Sequence, residues 1–228
     1  LKFPLAVLPK IDGSWAAIQN GKLFARSLKP HENAYTTELY SNEEFEGLRG
    51  ELIIGENPVA LGLCRNTSSA LRTINGEPFT TLWCFDYVTT DTLGLRYIDR
   101  MEKLGDKIKK LHDRGYDYVR MIDFRIAVSL ENYKSIRDEY LSLGYEGVVV
   151  RDLYAKHKEG RSSSVSPELW RFKPYSSAEI KVTRLVEEMK NNNEAKTNAL
   201  GLTERSTHQE NLEGKGTLGA IVGELVTP

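Results

Sequence analysis

The residue that most suggests chemistry is a single lysine, Lys10, near the start of the chain. It ends a strand-like apolar run that begins at Phe3 and contains Pro9, and it is followed by Asp12 and Gly13. A lysine at the end of a strand usually extends its charged amine into water. The short pattern K-x-D-G occurs by chance, so on its own it does not distinguish that arrangement from a lysine that carries out a reaction.

Four further segments place charged or aromatic residues in short apolar runs. They are R-G-E-L at 49–52, W-C-F-D-Y-V at 83–88, Y-E-G-V-V-V-R at 145–151 and L-W-R-F-K-P at 169–174. In the last of them one residue separates Arg171 from Lys173, so strand alternation puts both side chains on the same face. Five such segments in a fixed order, counting the one at Lys10, are hard to obtain by chance.

With these segments in this order, the chain resembles the covalent nucleotidyltransferase superfamily of DNA ligases, RNA ligases and mRNA capping enzymes. Within it, the minimal ATP-dependent DNA ligases of viruses are most similar. Further matches are x-R-x-x-K-P at 25–30, F-D-Y-V-T-x-D at 85–91, Y-I-D-R at 97–100, G-R-S at 160–162 and R-S-T-H at 205–208. The resemblance implies an enzyme of DNA repair or replication that seals 3′-OH/5′-phosphate nicks in duplex DNA.

The resemblance also implies how a nucleotide is bound. Lys10 would attack the α-phosphorus of ATP, release pyrophosphate and carry AMP, which divides one difficult condensation into separate transfers. Glu51 would hold the ribose hydroxyls, and the backbone near Leu8 would read the edge of the base. Phe85 would stack on adenine, and alternation puts Trp83 on the same face as Phe85.

Charged residues are expected around the phosphates. Glu146 would ligate Mg²⁺, which prefers carboxylate and phosphate oxygens. Arg171 and Lys173 would neutralise the α-phosphate and help the Lys10 amine to lose its proton. The family has two lysines here, and because arginine cannot shed a proton, Lys173 is the better candidate for assisting the leaving group. Asp12 would orient Lys10 or the attacking hydroxyl, unless it is only a turn residue.

Five basic residues match positions that contact nucleic acid in the family. They are Arg26 at the 5′-phosphate of the nick, Arg151 and Arg161 at phosphates or base pairs, and Lys190 and Arg205 in the polar segment 190–216. That segment matches a loop that clasps DNA, and we expect it to be disordered without DNA.

A second position, besides Arg171, departs from the DNA-ligase pattern. Five residues after the nucleophile these enzymes usually carry arginine, whereas this chain has Trp15. An indole cannot replace a guanidinium charge at a phosphate, so affinity for the nick phosphate should fall unless a cation such as Lys29 compensates.

Short strands and two helices must position these residues. Apolar residues at three- or four-residue steps predict a helix over 95–111 and a second over 129–144, and Asn20-Gly21 predicts a tight hairpin. Strands are predicted at 3–9, 14–19, 22–27, 50–55, 80–88, 118–126, 145–151, 169–173, 178–188 and 217–226. Because strands and helices interleave irregularly, we expect an α+β fold of antiparallel sheets flanked by helices.

Two domains are expected. Residues 1–176 would form the nucleotidyltransferase (adenylation) domain, and residues 177–228 the N-terminal part of an OB-fold domain with the DNA-clasping loop at about 190–216. The family's OB barrel continues beyond the position of Pro228, and two strands joined by a long polar segment are not an independent core.

Composition limits the remaining possibilities. The 228 residues include 31 basic and 32 acidic ones, so a polyanion must be met by locally arranged cations. The two cysteines and four histidines have no zinc-site spacing. With no apolar run long enough to span a membrane and no secretory signal, we expect a soluble, intracellular, monomeric protein, in host cytoplasm or nucleus if viral, in the cytoplasm if bacterial or phage.

Two alternatives stay open. The chain could be an RNA ligase or a capping guanylyltransferase; F-D-Y-V and R-S-T-H favour DNA, and Trp15 weakens that preference. It could also be a noncatalytic nucleic-acid-binding module, which would bind nucleic acid without becoming labelled by ATP.

Overall fold

The computed structural model of the protein describes residues 2–160, 162–163, 168–175, 177–197 and 203–226. The chain divides into two units, Leu1–Pro174 and Tyr175–Pro228. The helices are α1 (Ala34–Tyr40), α2 (Leu63–Arg72), α3 (Tyr97–His112) and α4 (Leu130–Ser142), with short 3-10 turns at Glu43–Phe45 and Gln209–Asn211. The strands are β1 (Leu5–Lys10), β2 (Ser14–Gln19), β3 (Lys22–Ala25), β4 (Leu48–Ile54), β5 (Thr80–Tyr87), β6 (Val119–Met121), β7 (Arg125–Ala127), β8 (Gly147–Asp152), β9 (Leu169–Phe172), β10 (Ile180–Asn191), β11 (Ala195–Thr197), β12 (Thr203–Arg205) and β13 (Leu212–Leu225).

Two β-sheets form the framework of the first unit. Sheet A has the strand order β7-β1-β8-β9 and is antiparallel throughout. Sheet B has the order β3-β2-β4-β5-β6 and is antiparallel except for the parallel pair β5 and β6. The strand that ends in Lys10 and the strand that follows Glu146 are therefore neighbours in the middle of sheet A.

Buried apolar side chains cover both faces of sheet A. Since alternate residues of a strand point to opposite faces, Leu5 and Val7 of β1 pack into a smaller core with α4. Ala6 and Leu8 point the other way, into a larger core that also contains residues of sheet B, α2 and α3. Continued alternation puts Lys10 on the larger-core face of sheet A, at the end of its strand.

Elements with strong local signals are confirmed. Asn20 and Gly21 join β2 to β3 with φ angles of 51° and 65°, the left-handed values that this two-residue turn requires. The Ser129 hydroxyl accepts a hydrogen bond from the backbone N–H of Asn132 at 3.1 Å and caps α4. Gly144, with φ of 92°, follows the end of that helix.

The predicted strand over 118–126 is wrong. It is two short strands in different sheets, because β6 pairs with β5 in sheet B and β7 pairs with β1 in sheet A. Asp123 lies between them and accepts a hydrogen bond from the Tyr140 hydroxyl at 2.9 Å. The apolar run therefore crosses from one sheet to the other.

Two helices were not predicted. α1 begins after Asn33, whose side chain accepts a hydrogen bond from the backbone N–H of Thr36 at 2.7 Å. α2 is mostly polar and buries only Leu63, Thr67 and Leu71, which are spaced by four residues. Such a narrow stripe on a polar segment gives little periodic signal.

The second unit consists of two antiparallel ribbons. β10 pairs with β13 with three register shifts, and β11 pairs with β12. In the segment 190–216, Lys190 and Asn191 end β10 and Leu212 begins β13, and the disorder expected without DNA stays a prediction. A long ribbon with bulges fits the start of an OB-fold.

The predicted α+β class is confirmed by the four helices and the antiparallel or mixed sheets. The division after Pro174 lies close to the predicted domain border at 176, while the identity of the two domains stays a prediction. Within the described ranges, no helix combines the length and the apolar character that crossing a membrane requires.

Candidate active site

Lys10 lies in a strand whose backbone pairs with a neighbouring strand. It is the last residue of β1, its side chain is 23% exposed, and it pairs with Gly147 of β8. A Cβ at Gly147 would overlap the carbonyl oxygen of Phe172, so glycine allows β8 and β9 to approach closely at this point. The amine therefore projects from the end of one of the two central strands of sheet A.

Glu146 links Lys10 to a second cation. Its Oε2 contacts the Nζ of Lys10, and its Oε1 contacts the Nζ of Lys173, which follows β9. Burial raises the pKa of Glu146, but hydrogen bonds from both lysines outweigh burial and hold that pKa below its ordinary value. The hydrogen bond to Glu146 raises the pKa of Lys173. A carboxylate shared by two amines is thus the centre of the site.

Arg171 and Leu8 lie in one cross-strand row of sheet A. Val149 pairs with Leu8 on one side and with Arg171 on the other. Arg171 is exposed, and Leu8 is 2% exposed. Because β7 pairs only with Leu5–Val7, the backbone of Leu8 extends beyond that ladder.

Glu51 lies between two indoles in sheet B. It pairs with Trp15 of β2 on one side and with Trp83 of β5 on the other. Burial raises the pKa of Glu51 to about 7, and the positive charges of Lys10 and Arg26 oppose this rise. Its carboxyl group therefore titrates near neutral pH beside the amine.

Two further carboxylates affect the pKa of the Glu51 carboxyl group. The negative charges of Asp12 and Glu146 raise the pKa of Glu51, and Asp12 also raises that of Lys173. One set of interacting charges, here called the Lys10 cluster, consists of Lys10, Asp12, Arg26, Glu51, Glu146 and Lys173. These residues come from separate segments and are brought together by both sheets.

The Lys10 cluster contains carboxylates that could act as magnesium ligands. Among the described residues, no group of three or more His, Cys, Asp or Glu side chains is arranged to hold a metal ion. Mg²⁺ commonly takes one or two carboxylates and completes its shell with water and substrate phosphates. A single carboxylate such as Glu146 would meet this requirement only if substrate phosphates supply further ligands.

A second group of charges is buried beside Phe85. Asp86 accepts hydrogen bonds from the Nε of Arg100 at 2.7 Å and from the Nη1 of Arg151 at 2.8 Å. Burial alone would raise the pKa of Asp86, but the two guanidinium groups lower it below its ordinary value. Asp86, Arg100 and Arg151 are here called the Asp86 network. Arg151 thus has a partner inside the first unit, and its contact with DNA stays a prediction.

His157 and Arg49 lie next to this network. The Nη1 of Arg49 is 3.0 Å from the Nε2 of His157. Since a guanidinium can only donate, the imidazole Nε2 accepts this hydrogen bond. Burial and the neighbouring charge of Arg49 lower the pKa of His157 to about 4, so the imidazole is neutral at pH 7.

The remaining predicted nucleic-acid contacts are spread over the chain. Arg26 is exposed directly after β3, while Arg161 lies outside the described residues. In the second unit Lys190 is exposed on β10, and the Nη1 of Arg205 donates to the carbonyl oxygen of Asn193. Nothing in these positions tests their proposed contacts.

The Asp86 network was not predicted from the sequence, although the motif F-D-Y-V contains an aspartate that could have indicated it. Asp86 is a carboxylate within an apolar strand, and a buried carboxylate needs a cation or several donors. Its partners, Arg100 and Arg151, are distant in sequence, so no spacing rule pairs them.

Comparison with known proteins supports the expectation from the sequence. No family model matches the chain, and no curated protein matches it. Among solved structures, Chlorella virus DNA ligase-adenylate is similar with a TM-score of 0.64 and 28% identity, over 82% of this chain and 69% of that one. The ATP-dependent DNA ligase of bacteriophage T7, in complex with ATP, has a TM-score of 0.58 and 16% identity, over 90% and 74%.

A third similar structure is a Lig E DNA ligase, with a TM-score of 0.61 and 17% identity over 88% of this chain and 76% of that one. The two matches below 25% identity show the fold alone, whereas the viral ligase also shares more than a quarter of the aligned residues. The resemblance predicted from the sequence is confirmed.

Proposed function

We infer that this chain belongs to the ATP-dependent DNA ligases of the covalent nucleotidyltransferase superfamily, and we propose that it seals nicks through a lysyl-AMP intermediate. The observation that carries the proposal is the amine of Lys10, held by Glu146 on the interior face of sheet A. In three steps, Lys10 is adenylated, AMP moves to the 5′-phosphate of a nick, and the 3′-hydroxyl displaces AMP.

The first step needs a neutral amine at the α-phosphorus. The Glu146 carboxylate holds the Nζ of Lys10 in position, and the amine has to give up its proton to water before it attacks the nucleotide. Lys173, on the other carboxylate oxygen, is 64% exposed and can turn toward the phosphates. Attack forms the N–P bond of the phosphoramidate, breaks the α–β phosphoanhydride bond and releases pyrophosphate.

The pocket beside this amine suits a nucleoside. Glu51, with a pKa of about 7, can both donate to and accept from ribose hydroxyls near neutral pH. Phe85 offers a half-buried ring for stacking on the base, and the backbone at Leu8 offers polar groups to its edge. These roles are the ones that the resemblance implies.

Magnesium bound to Glu146 would neutralise charge on the nucleotide phosphates. Nicked duplex DNA would be bound by Arg26 of the Lys10 cluster and by Lys190 and Arg205 in the second unit. Trp15, opposite Glu51, takes the place of a phosphate-binding arginine.

Incubation of the full chain with Mg²⁺ and α-labelled ATP tests the proposal. We expect acid-labile label on the protein, its loss in Lys10→Ala and Lys10→Arg, and its retention in Lys22→Ala, which alters an exposed lysine of β3. Nucleic-acid binding without label in the unaltered protein would instead favour a noncatalytic module.

Substrate comparison separates the enzyme alternatives. We expect ATP rather than GTP to label the protein, and the labelled protein to seal nicked DNA. Labelling by GTP would indicate a capping guanylyltransferase, and preferential sealing of nicked RNA would indicate an RNA ligase, the alternative that Trp15 leaves open.

A further inference from the structure

Phe85 interrupts the regular pairing of sheet B. Cys84 pairs with Gly50 and Asp86 pairs with Arg49, so Phe85 is an extra residue of β5 without a partner in β4. The pairing of β5 with β6 also reaches only to Cys84. An extra residue of this kind is a β-bulge, a feature that re-aims a side chain and is common beside active sites.

A side chain holds the backbone of Phe85 at this bulge. The hydroxyl of Tyr97, the first residue of α3, donates to the carbonyl oxygen of Phe85 at 2.9 Å. Tyr97 is 1% exposed. Because a buried carbonyl needs a partner, this hydrogen bond replaces the strand partner that the bulge removes and fixes the peptide.

A cation covers the ring of Phe85. The guanidinium carbon of Arg151 lies 5.4 Å from the ring centroid of Phe85 and 4.6 Å from that of Tyr97. Arg151 is itself anchored by Asp86, whose other oxygen accepts from Arg100. The ring is therefore held by a side chain that cannot easily move.

We propose that Tyr97 and Arg151 are positioning residues for nucleotide binding, which hold Phe85 in the orientation that stacks on the base. This inference rests on the proposed function. A ring that is already ordered loses little conformational freedom when the base binds. Removing either contact should therefore weaken the part of nucleotide affinity that comes from the base and leave the part that comes from the phosphates.

The experiment uses the full chain with Lys10→Ala, so that binding is measured without the covalent step. Titration calorimetry in Mg²⁺ gives the Kd of ATP and of tripolyphosphate, which has no base. Tyr97→Phe keeps the ring and removes the hydroxyl, which donates to the carbonyl oxygen of Phe85 and also forms a hydrogen bond with Arg151. The matched control is Tyr116→Phe, whose ring packs edge-on against Phe45 with centroids 5.0 Å apart.

We expect Tyr97→Phe to raise the Kd of ATP roughly three- to tenfold, the effect of losing the hydrogen bond to Phe85, and to leave the Kd of tripolyphosphate unchanged. The control should change neither. A general loss of structure would weaken both ligands, so the difference between them separates positioning from folding. Arg151→Lys, which keeps the charge beside Asp86 but loses the planar group over the ring, should act in the same direction.

The inference is overturned if ATP binds equally well to both tyrosine variants, or if ATP and tripolyphosphate weaken together in Tyr97→Phe and Arg151→Lys. If Tyr97→Phe does not fold, the Arg151→Lys result decides. If the Lys10→Ala protein binds tripolyphosphate but not ATP, Phe85 does not stack on a base and the inference fails. If it binds neither ligand, the proposed function fails as well.

Discussion

The first unit contains two ion clusters made of similar residues, and they differ in burial and in the kind of cation. In the Lys10 cluster, Glu146 is 17% exposed and is shared by two lysines, of which Lys173 is 64% exposed. In the Asp86 network, Asp86 and Arg100 are both 3% exposed. Lysine presents a point charge on a flexible chain, whereas arginine binds a carboxylate through a planar fork. The first cluster can rearrange around a substrate, and the second is part of the scaffold.

Because the two clusters differ in burial, we expect their charges to contribute differently to the reaction and to the free energy of unfolding. Solvent competes for a partly exposed ion pair, so such a pair contributes little to the free energy of unfolding. A buried charge that loses its partner is strongly destabilising. We therefore expect substitutions in the Lys10 cluster to change mainly the reaction. Substitutions of Asp86 and Arg100 should change mainly the stability, whereas Arg151 also contacts Phe85 and should affect nucleotide binding as well.

The largest expected effect is that of Glu146→Gln. Without the carboxylate that positions the amine and would bind Mg²⁺, the rate of adenylation should fall at least about 10²-fold, while the free energy of unfolding changes by less than about 1 kcal/mol. Initial rates of labelling and urea unfolding measure the two quantities. Glu38→Gln, on an exposed position of α1, is the control. A large loss of stability in Glu146→Gln would remove the contrast between the clusters.

Asp86→Asn should have the opposite profile. It leaves two buried guanidinium groups without a negative partner, and we expect a loss of about 3–5 kcal/mol in the free energy of unfolding. The matched control is Asp99→Asn, whose partner Arg96 is 55% exposed, and little change is expected there. Equal losses in both variants would show that burial does not distinguish the two carboxylates.

The two regions should also differ in how their stability depends on pH, because the pKa of Glu51 is raised and that of His157 is lowered. Glu51 has a pKa of about 7 in the folded protein, above its ordinary value of 4.5, so the stability it adds is present below pH 4.5 and is lost as pH rises through 7. His157 has a lowered pKa of about 4, so the stability it adds is present above its ordinary pKa of 6.5 and is lost as pH falls through 4.

Urea unfolding between pH 4 and 7.5 measures both responses. Relative to the unaltered protein, the unfolding free energy of Glu51→Gln should rise more steeply with pH, by on the order of 3 kcal/mol across the range. That of His157→Asn should rise less steeply. Parallel pH profiles for the three proteins would contradict both pKa shifts.

The smallest expected effect concerns Trp15. Trp15→Arg introduces a guanidinium near Glu51. We expect nicked duplex DNA to bind roughly threefold more tightly, and the affinity to depend more steeply on salt, by about one phosphate contact. Fluorescence anisotropy at two salt concentrations measures both. Trp83→Arg, in which the charge is placed on the other side of Glu51, is the matched control. Unchanged affinity in Trp15→Arg would mean that this position does not face the nick phosphate.

Much of the fold was predictable because its signals are local. Asn20-Gly21 fixes a turn by its own backbone preferences, and the stripe of α3 repeats over four turns of helix. The segment 118–126 was mispredicted because its two halves pair in different sheets, and pairing partners are not encoded in an apolar run. α2 was missed because its buried residues, Leu63, Thr67 and Leu71, form a single narrow line.

The candidate site was predictable only in part. Alternation alone placed Arg171 and Lys173 on one face. The contact of Lys10 with Glu146 joins residues far apart in sequence and was not predicted, because the resemblance gave Glu146 only as a metal ligand. The Asp86 network depends on three segments that fold together, so the residues that hold Phe85 could be found only in the structure.

The central claim is that Lys10 forms a bond to AMP, and peptide mass spectrometry tests it most directly. After incubation of the full chain with ATP and Mg²⁺, the account predicts the mass of one AMP on the peptide that contains Lys10, and its disappearance when pyrophosphate is added. Unmodified protein under these conditions, or AMP on another residue that persists in Lys10→Ala, would contradict the account.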